Sequence, residues 1–177
     1  MQRLLCSTVV ALLLLSGCAS APKPKEKTNV AHLTQLLLAV NKEAPKEEAK
    51  RLAEELIQTS AGLEKAFGRE GNPYWHNFLV NVGVKQKGLC YHYSDGLYRH
   101  LAAQHRYPHF AFHLMGAHIG EYWREHNALA VSAPGEPVLD GIVVDPWRCT
   151  GSVYTAKIAE DKAYRWRHRP EREYRKP

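Results

Sequence analysis

Lys87-Gly88-Leu89-Cys90-Tyr91-His92, Glu125-His126-Asn127-Ala128-Leu129-Ala130-Val131 and Ile142-Val143-Val144-Asp145-Pro146-Trp147 decide the fold of this 177-residue chain. Behind the first stretch Tyr93, Leu97 and Leu101 recur at helical spacing, so a helix opens at Cys90. Tyr107-Pro108 ends it, because the residue before proline avoids helical geometry. Beyond Pro108 the period changes. Residues 109–114, 126–131 and 138–144 each suit a strand, and Ala133-Pro134-Gly135-Glu136-Pro137 is the turn between the last two. The expectation is an antiparallel meander after a helix, in which the start of one strand lies near the end of the next. His126 and Asp145 are then within reach of one another.

Working outward, Leu33, Leu36, Leu37 and Val40 recur at helical spacing, as do Ala49, Leu52, Leu56, Leu63 and Phe67 after Pro45. Two amphipathic helices are expected there. Asn72-Pro73 restarts the chain, and Trp75, Phe78, Leu79 and Val82 give a third, shorter apolar stripe on which Trp75 reads as core. The fold class is therefore α+β, with N-terminal helices and a cysteine-bearing helix packed on an antiparallel sheet.

The amino terminus is read separately. Met1-Gln2-Arg3 supplies a basic start, residues 4–15 are nearly all apolar, and Leu15-Ser16-Gly17-Cys18 follows. The apolar run is too short to span a bilayer, so residues 1–17 read as an export signal. The Leu-Ser-Gly-Cys sequence resembles a bacterial lipobox, which implies cleavage before Cys18 and lipidation of its thiol and amine. By resemblance to known lipoproteins, Ala19 after that cysteine implies the outer membrane, facing the periplasm. The alternative is an ordinary secretory signal cut near Ala19 or Ala21. Residues 18–29 carry two prolines, three lysines and no large apolar side chain, so they read as a lipidated tether. Loss of Arg3 takes the formal charge from +6 to +5, and one domain, 30–163, is expected at this length.

Cys90, His126 and Asp145 offer a thiol, an imidazole and a carboxylate, the set needed for a nucleophile, its base and an orienting acid. A cysteine in the first turn of a helix feels the positive end of the helix dipole, which favours thiolate. The alternative for Cys90 is a small buried apolar residue, and for Cys149 either a free thiol or a disulfide partner that switches Cys90 off.

These residues carry a resemblance. Gly88-Leu89-Cys90 opening a helix, His126 followed by Ala128 and Val131 at a strand start, and Asp145-Pro146-Trp147 after an apolar strand resemble the transglutaminase-like branch of the papain-like cysteine peptidase superfamily. The likeness covers roughly residues 70–150. It implies Cys90 as nucleophile, His126 as general base and Asp145 as the acid that orients the imidazole. Two departures are visible: Ala128 where many relatives carry an aromatic residue, and the bulky Tyr91-His92-Tyr93 after the cysteine. The implied chemistry is attack of Cys90 on an amide, protonation of the departing amine by His126, and resolution of the thioester. Water as second nucleophile gives a peptidase or amidase, a lysine amine gives a cross-linking transferase. The oxyanion would meet the Cys90 N–H and a side-chain donor, with Gln86 and Trp75 as candidates, although Gln86 also reads as a solvated loop residue.

The expected partner is a peptide or protein substrate in the cell envelope, peptidoglycan stem peptides included, with no nucleic acid and no cofactor. A non-catalytic binding or scaffold protein that keeps the fold is the alternative. His105, His109, His113 and His118 invite a metal, but Pro108 breaks the register between His105 and His109. On a strand His109 and His113 lie about 13 Å apart, so no metal site is expected. His92 reads as a residue pointing away from Cys90, either on the surface or supporting the site from behind. Residues 164–177, rich in arginine with interleaved aromatics, read as a basic tail that meets an anionic surface or stays solvated.

Overall fold

The computed structural model describes residues 29–69 and 71–173. The stretches read as an export signal, a lipidation motif at Cys18 and a tether lie, up to residue 28, outside the described residues, as do 174–177. Five helices and a five-stranded antiparallel sheet make up an α+β fold. The helices are α1 (Val30–Val40), α2 (Lys46–Ala66), α3 (Pro73–Asn81), α4 (Cys90–Ala102) and α5 (Pro170–Glu173). The strands are β1 (Ala111–Ala117), β2 (His126–Ser132), β3 (Ile142–Asp145), β4 (Tyr154–Lys157) and β5 (Arg167–His168), in the sheet order β4-β3-β2-β1-β5. None of the described helices is long and apolar enough to cross a membrane.

Local chemistry sets the helix starts. Asn29 Oδ1 accepts from the His32 N–H at 2.8 Å, and Asn72 Oδ1 accepts from the Tyr74 N–H at 2.8 Å with Pro73 in the first turn. The main core lies between α1, α2, α4 and one sheet face, where Leu33, Leu37, Leu52, Leu56, Leu97 and Leu101 meet Leu129, Val131, Ile142 and Val144. A second cluster covers the opposite face: Met115, Ala128, Ala130, Val143, Ile158 and Trp166. Strand β2 is buried along its whole length because both faces are covered, Leu129 and Val131 inward to the helices, Ala128 and Ala130 to Trp166.

Three expectations are corrected. Trp75 is not core: it is 56% exposed and stacked on Phe78, while the one buried residue of α3 is His76. A nine-residue helix packed through a single inward position leaves its other apolar residues outside. The run 138–144 is not one strand, since Val138–Asp140 forms a 3-10 turn and β3 begins at Ile142. Finally, 164–173 is not a free tail. Trp166 is buried, β5 pairs with β1 through Met115↔His168 and Gly116↔Arg167, and Arg169 and Arg172 pair with Glu125 and Asp95. A segment that reads as a cationic terminus is neutralised by carboxylates from distant elements.

Candidate active site

Strand register makes the site. Strands β2 and β3 pair through Leu129↔Val144, and continuing that register places Asp145 opposite Ala128, on the sheet face that also carries His126. The His126 Nε2 donates to Asp145 Oδ2 at 2.6 Å, with both side chains almost fully buried. Asp145 is held from three sides, because its Oδ1 also accepts from the Trp147 N–H at 3.1 Å and its Oδ2 from Arg148 Nε at 2.8 Å. Arg148 in turn spans to Asp161 with both terminal nitrogens, Nη1 at 3.1 Å, and lies between the rings of Tyr154 and Tyr164 at 4.1 and 4.4 Å. Two carboxylates and a guanidinium are thereby buried together, each with a partner.

Cys90 opens α4 and is 8% exposed, packed with Tyr93 and Trp147. Its Sγ lies 3.9 Å from the Glu125 carbonyl and 3.8 Å from Asn127 Nδ2. The Cys90 thiol lies close enough to the His126 imidazole to contribute to its electrostatics. Burial alone would lower the His126 pKa, but the charge and hydrogen bond of Asp145, with those of Cys90, outweigh it and raise the pKa to about 9. Rings enclose this imidazole: Tyr164 stacks on it at 4.4 Å and 28°, with Trp147 at 4.9 Å and Trp166 at 5.6 Å. Ring faces are electron-rich, which favours the cationic form. The Tyr164 phenol is itself pushed up to about 12, chiefly by burial, and stays a neutral donor.

That raised pKa fixes a pH dependence. Because the folded value near 9 exceeds the unfolded value of about 6.5, the pairing stabilises the fold fully below pH 6.5 and the gain disappears as pH rises toward 9. The thermal midpoint of the wild type is expected to fall between pH 6.5 and 9, and that fall is expected to shrink in His126→Gln when both are followed by circular dichroism.

The start of α4 is built by two histidines. His92 does not point into solvent: it turns back so that Nδ1 accepts from the Gly88 and Leu89 N–H groups, each at 3.1 Å. Burial, aided by Lys87, lowers its pKa and keeps it in the neutral, accepting form. His76, fully buried, bonds through Nε2 to the Lys87 carbonyl at 2.9 Å and lies against Gly88. A Cβ at Gly88 would sit 2.2 Å from that nitrogen, and its φ of +124° is one that only glycine adopts easily. Gly88→Ala is therefore expected to lower stability by at least about 1–3 kcal/mol in chemical denaturation and to shift Cys90 away from His126.

The structure brings Cys90, His126 and Asp145 together. It does not bring the two oxyanion candidates to the thiol: Gln86 is exposed on the loop before α4, and Trp75 lies on the outer face of α3. A side-chain donor that does reach the sulfur is Asn127, whose Oδ1 is anchored by Arg172 and whose neighbour Glu125 is held by Gly120 N–H and Arg169 Nη1, each at 2.9 Å. Sequence reasoning missed Asn127, Arg148, Asp161 and Tyr164. Only Asn127 had a local signal, its place next to His126. The loop after Asp145 is clamped by Arg69, which donates to the Pro146 and Trp147 carbonyls at 3.1 and 2.6 Å. Cys90 is a free thiol and is not bridged to Cys149. Compared with protein-family models, curated proteins and solved structures, the chain matches none.

Proposed function

We propose that this protein is a cysteine-dependent amide hydrolase with a transglutaminase-like, papain-like core, working on peptides of the cell envelope. The observation that carries the reading is the buried 2.6 Å hydrogen bond from His126 Nε2 to Asp145 Oδ2, with the Cys90 sulfur lying against Glu125 and Asn127 on either side of that histidine. Asp145 fixes the imidazole with Nε2–H toward the carboxylate, so the other nitrogen faces the sulfur. The Cys90 sulfur attacks the amide carbonyl, and its electron pair forms the thioester carbon–sulfur bond. The proton on His126 passes to the departing amine as the carbon–nitrogen bond breaks. Water, deprotonated by the same imidazole, then releases the acid and restores the thiolate.

The negative oxygen would be met by the Cys90 N–H at the head of α4 and by Asn127 Nδ2, which replaces Gln86 and Trp75 as the side-chain donor. The aromatic wall that the family places two residues after the histidine is supplied here by Tyr164 and Trp166 beside the small Ala128. Exposed Tyr74 on α3, edge-on to Trp147 at 5.4 Å, offers an apolar surface to the substrate. The lipobox-like Leu15-Ser16-Gly17-Cys18 supports an envelope location, tethered by lipid at Cys18, where stem peptides supply amides. The segment 164–177 keeps exposed Arg165 and Arg167 for an anionic surface.

The test is incubation with envelope peptides, peptidoglycan stem peptides included, while following amine release and the intact mass of the protein. A transient acyl adduct on Cys90, absent in Cys90→Ala, is expected. Incorporation of an added primary amine in place of water would assign acyl transfer, and neither adduct nor turnover would overturn the reading. A second reading, a non-catalytic envelope scaffold, is favoured by one observation, the 8% exposure of Cys90, which leaves little of the sulfur open to a substrate.

A further inference from the structure

On the far edge of the sheet, where β5 lies against β1, His113, His168 and Glu173 offer three ligand atoms within 4.8 Å of one another. The His168 Nε2 is 2.7 Å from Glu173 Oε1, and His113 Nδ1 is 3.7 Å from the same oxygen. The geometry around His113 defines its tautomer. Ser132 Oγ donates to the Ala133 carbonyl at 3.1 Å, so it accepts from His113 Nε2–H, also at 3.1 Å. The other ring nitrogen, Nδ1, then carries a lone pair, is shut off from solvent and has no hydrogen-bond partner. A lone pair aimed at a carboxylate oxygen is repulsive unless a cation stands between them.

We propose that His113, His168 and Glu173 form a binding site for a divalent transition-metal ion of the zinc type. Two imidazoles and one carboxylate match the ligand preference of such ions, with a fourth position left for water. Ser132 holds His113 in the metallating tautomer, and the Leu114 N–H, 2.9 Å from Glu173 Oε1, orients the carboxylate. Partial exposure of His168, 33% of its side chain, leaves an entry path. The consequence is structural. The ion joins β5 and α5 to β1, and the same segment delivers Arg169 and Arg172 to Glu125 and Asn127 beside Cys90. The site is separate from the triad and stands whether or not Cys90 is catalytic. Sequence spacing hid it, because His168 and Glu173 reach His113 only through the fold-back of the C-terminal segment.

The test is a Co²⁺ titration of the full-length protein with its thiols blocked by iodoacetamide, read by visible absorption and thermal midpoint. One equivalent is expected to bind with d–d bands, no thiolate charge-transfer band, and a midpoint that rises with Co²⁺ concentration. His113→Gln and His168→Gln are each expected to weaken binding on the order of 100-fold, and Ser132→Ala roughly 10-fold. Binding that survives loss of both histidines, or no saturable binding to the wild type, overturns the proposal. If a histidine variant fails to fold, proton NMR of the wild type decides: Co²⁺ must broaden the His113 and His168 ring signals first, and broadening elsewhere overturns the assignment.

Discussion

Arg148→Ala is expected to cost about 3–5 kcal/mol of stability, the largest loss of any single substitution away from the main core. The arithmetic of charge explains it. Arg148 is the cation between Asp145 and Asp161, both almost fully buried, and it is itself buried between Tyr154 and Tyr164. Removing it leaves two carboxylates shut off from water, with Asp161 retaining neutral donors such as the Trp166 indole N–H at 2.9 Å and the Ala163 N–H at 3.3 Å. Chemical denaturation measures the loss. Because the cause is uncompensated charge rather than lost volume, Arg148→Met combined with Asp161→Asn is expected to recover much of it. A double variant no better than the single one would assign the loss to ring packing instead.

Asp145→Asn is expected to slow acylation of Cys90 about 10⁴-fold while the protein stays folded. The carboxylate accepts from three donors, His126 Nε2, Trp147 N and Arg148 Nε. An amide in its place presents an N–H toward at least one of them. With that N–H toward His126, the imidazole turns its lone pair to residue 145 and its proton to the sulfur, the wrong tautomer for taking a proton from the thiol. The charge that raises the His126 pKa to about 9 is also gone, so its titration moves down. Stopped-flow acylation with p-nitrophenyl acetate reads the rate, and proton NMR of the imidazole reads the titration. A loss of tenfold or less, with the titration unmoved, would remove Asp145 from the orienting role.

The three residues of the candidate site were legible because each follows from local pattern. A glycine ahead of a helical stripe puts Cys90 in a first turn, and short apolar runs separated by a Pro-Gly turn make His126 and Asp145 neighbours across adjacent strands. Burial of Leu33, Leu37, Leu52, Leu56, Leu97 and Leu101 follows from the same periodicity. The rest was hidden for physical reasons. Tyr164, Trp166, Arg169 and Arg172 read as a cationic tail because nothing local shows that Asp161, Glu125 and Asp95 wait for them across the fold. Trp75 read as core because periodicity tells which residues share a face, not which face a short helix turns inward, and in α3 the inward position belongs to His76. For His92 the sequence left a surface place and a supporting one open, because a helical wheel places it away from Cys90 and does not foresee a side chain turned back onto two amides.

The most direct test is the pH dependence of alkylation at Cys90, measured by mass in a Cys149→Ser background with His126→Ala as control. A thiolate paired with the His126 imidazolium predicts labelling well below pH 8 that is faster than that of an ordinary thiol and slows when the imidazole is removed. Labelling no faster than a free thiol, and unchanged by His126→Ala, would contradict the catalytic account and leave the protein as a scaffold built on the same fold.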